Sequence, residues 1–266
     1  MATHEEAIQV VQRLHALAGG AELRRKAAAR MLARLHPTEA TELIQHVLEL
    51  SRNGAEGASC VLEAFVSALG QEAASIPHAA SLRRLAMIQD LPAVANLFAE
   101  GDPVREMDAD VAARNDARLF SDTLGHLKTR ARLTRDPDQM ARIAAVSNAA
   151  VVRELLRNPR LTEPLVVRIA ARRPARPEPL LEIWRSPKWF ARPAVKRALV
   201  FNPYLPPEVG AKIVPLLNTT DLAELAKDGS VHAALREQAK LLLANAVRPG
   251  RARAPEGTGE DPARPQ

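Results

Sequence analysis

Residues 150–161, AVVRELLRNPRL, return 44 residues later as AVKRALVFNPYL at residues 194–205, with seven of twelve positions identical. The shared positions are Ala150/Ala194, Val151/Val195, Arg153/Arg197, Leu155/Leu199, Asn158/Asn202, Pro159/Pro203 and Leu161/Leu205. An echo in register at this period is the mark of stacked helical units. The Asn-Pro step is the punctuation: asparagine tolerates the turn after a helix and bonds to local backbone, while proline forbids the helix to continue. Leu161 or Leu205 can then pack back as Thr162-Glu163-Pro164 or Pro206-Pro207-Glu208 opens the next segment. The spacing specifies helix, tight turn, helix.

Outward from the echo, residues 130–246 read as short helices with frequent proline. Asp136-Pro137, Asn158-Pro159 and Asn202-Pro203 fall 22 and 44 residues apart, so the period of 44 is expected to divide into halves of about 22, the half near residue 180 having lost the signature. Residues 1–129 form an N-terminal helical region expected to be continuous with the stack. Helical spacing and its stops predict helices over residues 4–18, 21–35, 38–52, 58–69 and 79–100, the last broken by Pro92. Asp102 followed by Pro103 reads as a cap with proline at the first helical position, opening a helix through Asn115. The final helix, ALREQAKLLLANA, is expected to cap the stack. Residues 247–266 have no apolar periodicity and are expected to be disordered.

LVFNPYLPPEV, at residues 199–209, resembles the units of bacterial leucine-rich repeat variants, which carry an Asn-Pro turn before a Pro-Glu-Val helix start. The likeness extends over residues 131–217, and more distantly to HEAT-like repeat proteins. LLRNPRLTEPL lacks the Pro-Glu-Val start, and the half around PEPLLEIW has no Asn-Pro. The resemblance implies an all-α fold, a right-handed α-solenoid of stacked short antiparallel helix pairs. It implies binding and no chemistry, since solenoids host many functions.

Composition agrees with packed helices: aromatic residues are 3% of the chain, and strand signals are weak. Cys60 is the single cysteine, which excludes an internal disulfide framework, and its apolar run CVLEAFVSAL marks it as a small buried thiol. The N-terminus lacks the basic start and apolar core of a signal peptide, and no apolar run approaches the roughly 20 residues that span a bilayer. A cytoplasmic protein without membrane insertion is expected. Asn218-Thr219-Thr220 is then an idle glycosylation match.

Catalytic signatures are missing. His4, His15, His36, His46, His78, His126 and His232 are scattered with no HExxH pair and no cysteine partner, so the sequence assigns no metal and no cofactor. There is no Gly-rich phosphate loop and no GxSxG elbow. The carboxylates of EMDAD at residues 106–110 lack calcium-loop spacing and are expected on a wet helix face. Neither an enzyme nor a small-molecule substrate is indicated.

Charge gives the second clue. Lys and Arg outnumber Asp and Glu by 16 to 6 over residues 130–200, a net +10, against −4 before and 0 after. Within this block stand Trp184, Arg185, Lys188, Trp189, Phe190 and Arg192, the mixture of aromatic and cation found in binding hot spots and in nucleic-acid grooves. Trp184, following Leu180, Leu181 and Ile183, is expected in the core; Trp189 is open to either reading. Solvated faces and helix C-terminal charges explain the arginines equally well. The partner-binding set expected from sequence is Arg172, Arg173, Arg176, Arg185, Lys188, Trp189 and Arg192. These residues point to a non-catalytic adaptor for an acidic protein partner. A nucleic-acid-binding solenoid is the alternative, and a HEAT-like alkylpurine DNA glycosylase built on Trp184 and Glu182 a distant third.

Overall fold

Capping chemistry sets the first helices. In the computed structural model, which describes residues 3–17, 19–119 and 122–246, helix α1 (His4–His15) opens on a reciprocal box. Thr3 Oγ1 accepts from the Glu6 amide at 3.2 Å, and Glu6 Oε2 accepts from the Thr3 amide at 2.7 Å. Helices α2 (Gly20–Arg34) and α3 (Pro37–Arg52) follow, α3 with proline in its first turn. Helix α4 (Ala58–Gln71) carries CVLEAFVSAL, apolar around most of its circumference, and a helix of that kind has to be covered on most of its faces. It is: Val61, Leu62, Phe65 and Val66 are wholly buried among α1, α2, α3 and the C-terminal helices.

The stretch expected over 79–100 is broken at Pro92, as α5 (Ala79–Ile88), α6 (Pro92–Ala95) and a 3-10 turn at Asn96–Phe98. The helix expected from Asp102-Pro103 is not there. Residues 99–107 run as irregular chain, held by the Arg105 amide donating to the Pro203 carbonyl at 3.1 Å, and tertiary tethering overrides the local cap. Helix α7 (Ala109–Leu119) instead starts at Asp108, whose Oδ1 accepts from the amides of Asp110 at 2.8 Å and Val111 at 3.0 Å. Those amides hold its carboxyl below the usual aspartate range. So in EMDAD Asp108 is a cap and Glu106 precedes the helix; the wet-helix-face expectation fails for both.

From here the helices shorten: α8 (Leu124–Leu133), α9 (Pro137–Ile143), α10 (Ala149–Leu156), α11 (Glu163–Ala171), α12 (Pro177–Arg185) and α13 (Pro187–Phe190). After them come α14 (Pro193–Val200), α15 (Pro207–Ile213), a 3-10 turn at Val214–Leu216, α16 (Thr219–Leu225) and α17 (Ala233–Ala246). Among the described residues the fold is entirely helical, with no strand. α10 packs on both α8 and α12, α11 on α14, and α15 on α17, so these helices meet partners beyond their sequence neighbours. The expected boundary at residues 129/130 falls inside α8, which packs on α10. Residues 247–266, expected to form a disordered tail, lie outside the described residues.

The echo maps α10 onto α14 and α11 onto α15. Val151, Leu155, Val195 and Leu199 are fully buried, and Leu161 and Leu205 nearly so. At the spacing of 22 from Asn158, Leu180 lies in mid-helix in α12 and is wholly buried, so the turn after α12 falls later, at Ser186-Pro187. Asp136-Pro137 also differs from its supposed equivalents. Asp136 is itself the cap of α9, accepting from the Asp138 amide at 2.9 Å, whereas α11 and α15 open further along, after Thr162 and Pro206.

The two halves of the chain are pinned together by cations. Lys196 on α14 meets Glu63 on α4 at 2.5 Å, and both are largely buried. Arg52 Nη1 donates to the Leu217 carbonyl at 3.2 Å. Lys212 Nζ donates to the carbonyls of Glu208 at 2.9 Å and Leu97 at 3.3 Å, and burial pushes its ammonium pKa down. Gly70 on α4 lies under the Trp184 ring, where a Cβ would overlap the indole.

Candidate partner-binding surface

The repeated arginines are struts between helices. Arg153 on α10 clamps Glu182 on α12 with two hydrogen bonds of 2.7 Å each, and Arg185 adds a third at 3.2 Å. Arg197, its echo on α14, reaches Asp221 and, at 2.7 and 2.8 Å, Glu224 on α16. Fork-shaped guanidinium–carboxylate pairing is the strong form of the interaction. The Arg153 hydrogen bonds hold the Glu182 carboxyl below the usual glutamate range, against the upward push of burial. A carboxylate so engaged is poorly suited to act as a base, and Trp184 beside it is only 4% exposed, which leaves no face for stacking on a nucleobase.

The seven residues singled out from sequence lie at similar junctions. Arg172, at the end of α11, donates to the Ala145 carbonyl, and burial lowers its pKa. Arg173 donates to the Phe201 carbonyl. Arg176 pairs with Glu178 at 2.7 Å, and Arg192 stands 3.8 Å from Glu163. Trp189 is buried, its indole N–H donating to the Leu156 carbonyl at 2.8 Å, and Lys188 Nζ sits 4.3 Å above its ring centroid. The open question about Trp189 resolves to the core. Each of the seven therefore has a partner within the chain, although Arg185 and Arg192 remain more than half exposed.

Sequence reasoning passed over two other cations of the block. Arg160 and Arg168 are exposed and, among the described residues, their guanidinium groups show no hydrogen bond or ion pair. They border a notch between α9 and α11 of about 260 Å³, with Met140, Ala141 and Leu165 among its lining and Pro137 and Pro164 beside them. The local pattern explains both. On α11, Val166, Ile169 and Ala170 turn inward, which leaves Leu165 and Arg168, three apart, on an outward face. Arg160 is exposed because Asn158 Oδ1 accepts from its amide at 2.9 Å and fixes the turn beneath it. A helical-wheel reading of α11 was the available signal.

Cys60, expected as a small buried thiol, is half-buried, donates to the Gly57 carbonyl at 3.0 Å and lies 3.2 Å from His15 Nδ1. Burial pushes its thiol pKa up, which disfavours the nucleophilic thiolate. Among the described residues no helix is long and apolar enough to cross a membrane. The chain matches no protein-family model, no curated protein and no solved structure.

Proposed function

We propose that this protein is a non-catalytic adaptor built on a right-handed α-solenoid, acting in the cytoplasm, that captures an acidic segment of a partner protein. The observation that supports it most is the contrast within the basic block. The seven cation and indole groups first singled out are engaged by their own chain, whereas the guanidinium groups of Arg160 and Arg168, without a partner among the described residues, bracket an apolar notch. An apolar anchor flanked by carboxylates fits such a notch: the side chain displaces water from Met140, Ala141 and Leu165 while the guanidinium groups take the acids.

A nucleic-acid partner fits this surface less well. Asp136 and Asp138, both exposed, stand within the basic block and interrupt the unbroken basic stripe that phosphate tracking uses. Two fluorescein-labelled probes distinguish the readings, a peptide alternating Glu with Leu and a duplex DNA, each titrated with the full chain at low and high salt. The adaptor reading expects the peptide to bind and to retain part of its affinity in high salt. Tight duplex binding that falls steeply with salt, with no peptide binding, overturns it.

A further inference from the structure

Two histidines that sequence spacing keeps apart meet across the first layer of helices. α1 packs against α3, which sets the His4 and His46 rings 5.6 Å apart at 83°. His46 and Glu49 are three apart on α3 and share a face, with His46 Nδ1 3.5 Å from Glu49 Oε2. One ligand atom from each of the three residues lies within 4.8 Å of the other two.

Two further details make the cluster more than proximity. His46 Nδ1 is shielded from water and has no hydrogen-bond partner among the described residues, so its position opposite the carboxylate is unexplained by hydrogen bonding alone. The carboxylate is itself aimed: Glu49 Oε1 accepts from Gln45 Nε2 at 2.8 Å, which leaves Oε2 for His46. A metal-ligating carboxylate is ordinarily steered by such a neighbour.

We propose that His4, His46 and Glu49 form a binding site for a zinc-class divalent cation that clips α1 onto α3, with Gln45 as the positioning residue. Two imidazoles and one carboxylate are the ligand set of a three-residue zinc site whose fourth position is water. With metal–ligand bonds of about 2.0–2.1 Å, tetrahedral ligands stand about 3.3 Å apart, and the His46–Glu49 separation is already close to that edge. His4 supplies the remaining closure. It is exposed at the first position of α1, so its ring can turn toward the ion while the Thr3–Glu6 box keeps the backbone in place.

The test is calorimetric titration of the metal-stripped full chain with zinc chloride, together with thermal unfolding with and without the ion. A single saturable equivalent and a raised melting temperature are expected. His4→Ala, His46→Ala and Glu49→Gln should each weaken binding at least about tenfold, and Gln45→Ala should weaken it less. His4 is exposed, so its variant reads ligation with the fold intact. His15→Ala, which removes the imidazole beside Cys60, should change nothing. Absence of saturable binding, binding that His4→Ala or Glu49→Gln leaves unchanged, or binding lost in His15→Ala overturns the assignment.

Discussion

The carboxamide of Asn202 donates to the carbonyl of Ala170 at 2.7 Å, crossing from the turn after α14 to the last turn of α11. A second bond reaches the Arg172 carbonyl at 3.0 Å, while Asn202 Oδ1 accepts from the Tyr204 amide at 3.0 Å. Asn158 repeats the pattern after α10: it donates to Ala131 at 2.9 Å and Thr134 at 3.0 Å, and accepts from the Arg160 amide at 2.9 Å. One residue therefore fixes its own turn and ties off the carbonyls that end a neighbouring helix, groups that otherwise have no partner. The forward link from each unit is the echoed arginine, so the identical polar positions of the echo are those that bind one helix to another.

Asn158→Ala and Asn202→Ala should each destabilise the chain by about 2–3 kcal/mol in urea unfolding, because two bonds are lost and buried carbonyls are left unmatched. Asn→Asp should be no better, since a carboxylate cannot donate. Retention of full stability in either aspartate variant would refute the clamp.

Glu182→Gln should cost about 1–2 kcal/mol, less than a fully buried pair, because solvent screens Arg153 and Arg185. The pair also has a pH signature. The folded carboxyl is held below its unfolded value, so its contribution is present above the ordinary glutamate range and is lost as pH falls through the folded value. The acid limb of the stability curve should be shallower in Glu182→Gln than in wild type; superimposable limbs would count against the linkage.

Gly70→Ala replaces glycine in a helix, a change worth up to about 1 kcal/mol in favour of alanine. Here the new methyl meets the Trp184 ring, and overpacking of about 1–3 kcal/mol should win, giving a lower melting temperature. Pairing it with Trp184→Phe should recover part of the loss, and strictly additive losses would contradict direct contact.

The first helices were largely readable in the sequence, because apolar periodicity and glycine or proline punctuation are local signals: α1, α2, α3 and α4 lie close to the stretches that apolar spacing, Gly19-Gly20 and Pro37 mark out. Long-range pairings were not. Asp102-Pro103 carries every local mark of a helix start, yet the chain there is committed to Pro203. Cations separated from their acids by a helix or more, such as Arg153 from Glu182, look free in a charge count, which is why the basic block overstated the open positive surface. The same blindness hides His4 from His46, since α1 and α3 meet only in three dimensions.

On the proposed reading Arg160 and Arg168 face the partner, rather than the arginines already engaged at helix junctions. Anisotropy titrations of the labelled Glu-Leu peptide against two double variants test it most directly. Arg160→Glu with Arg168→Glu should weaken binding at least about tenfold and leave unfolding stability within about 0.5 kcal/mol. Arg185→Glu with Arg192→Glu should lower stability and leave peptide affinity within about twofold, as expected for residues outside the contact. Peptide binding that survives the first pair and is lost with the second would place the contact at Arg185 and Arg192 instead.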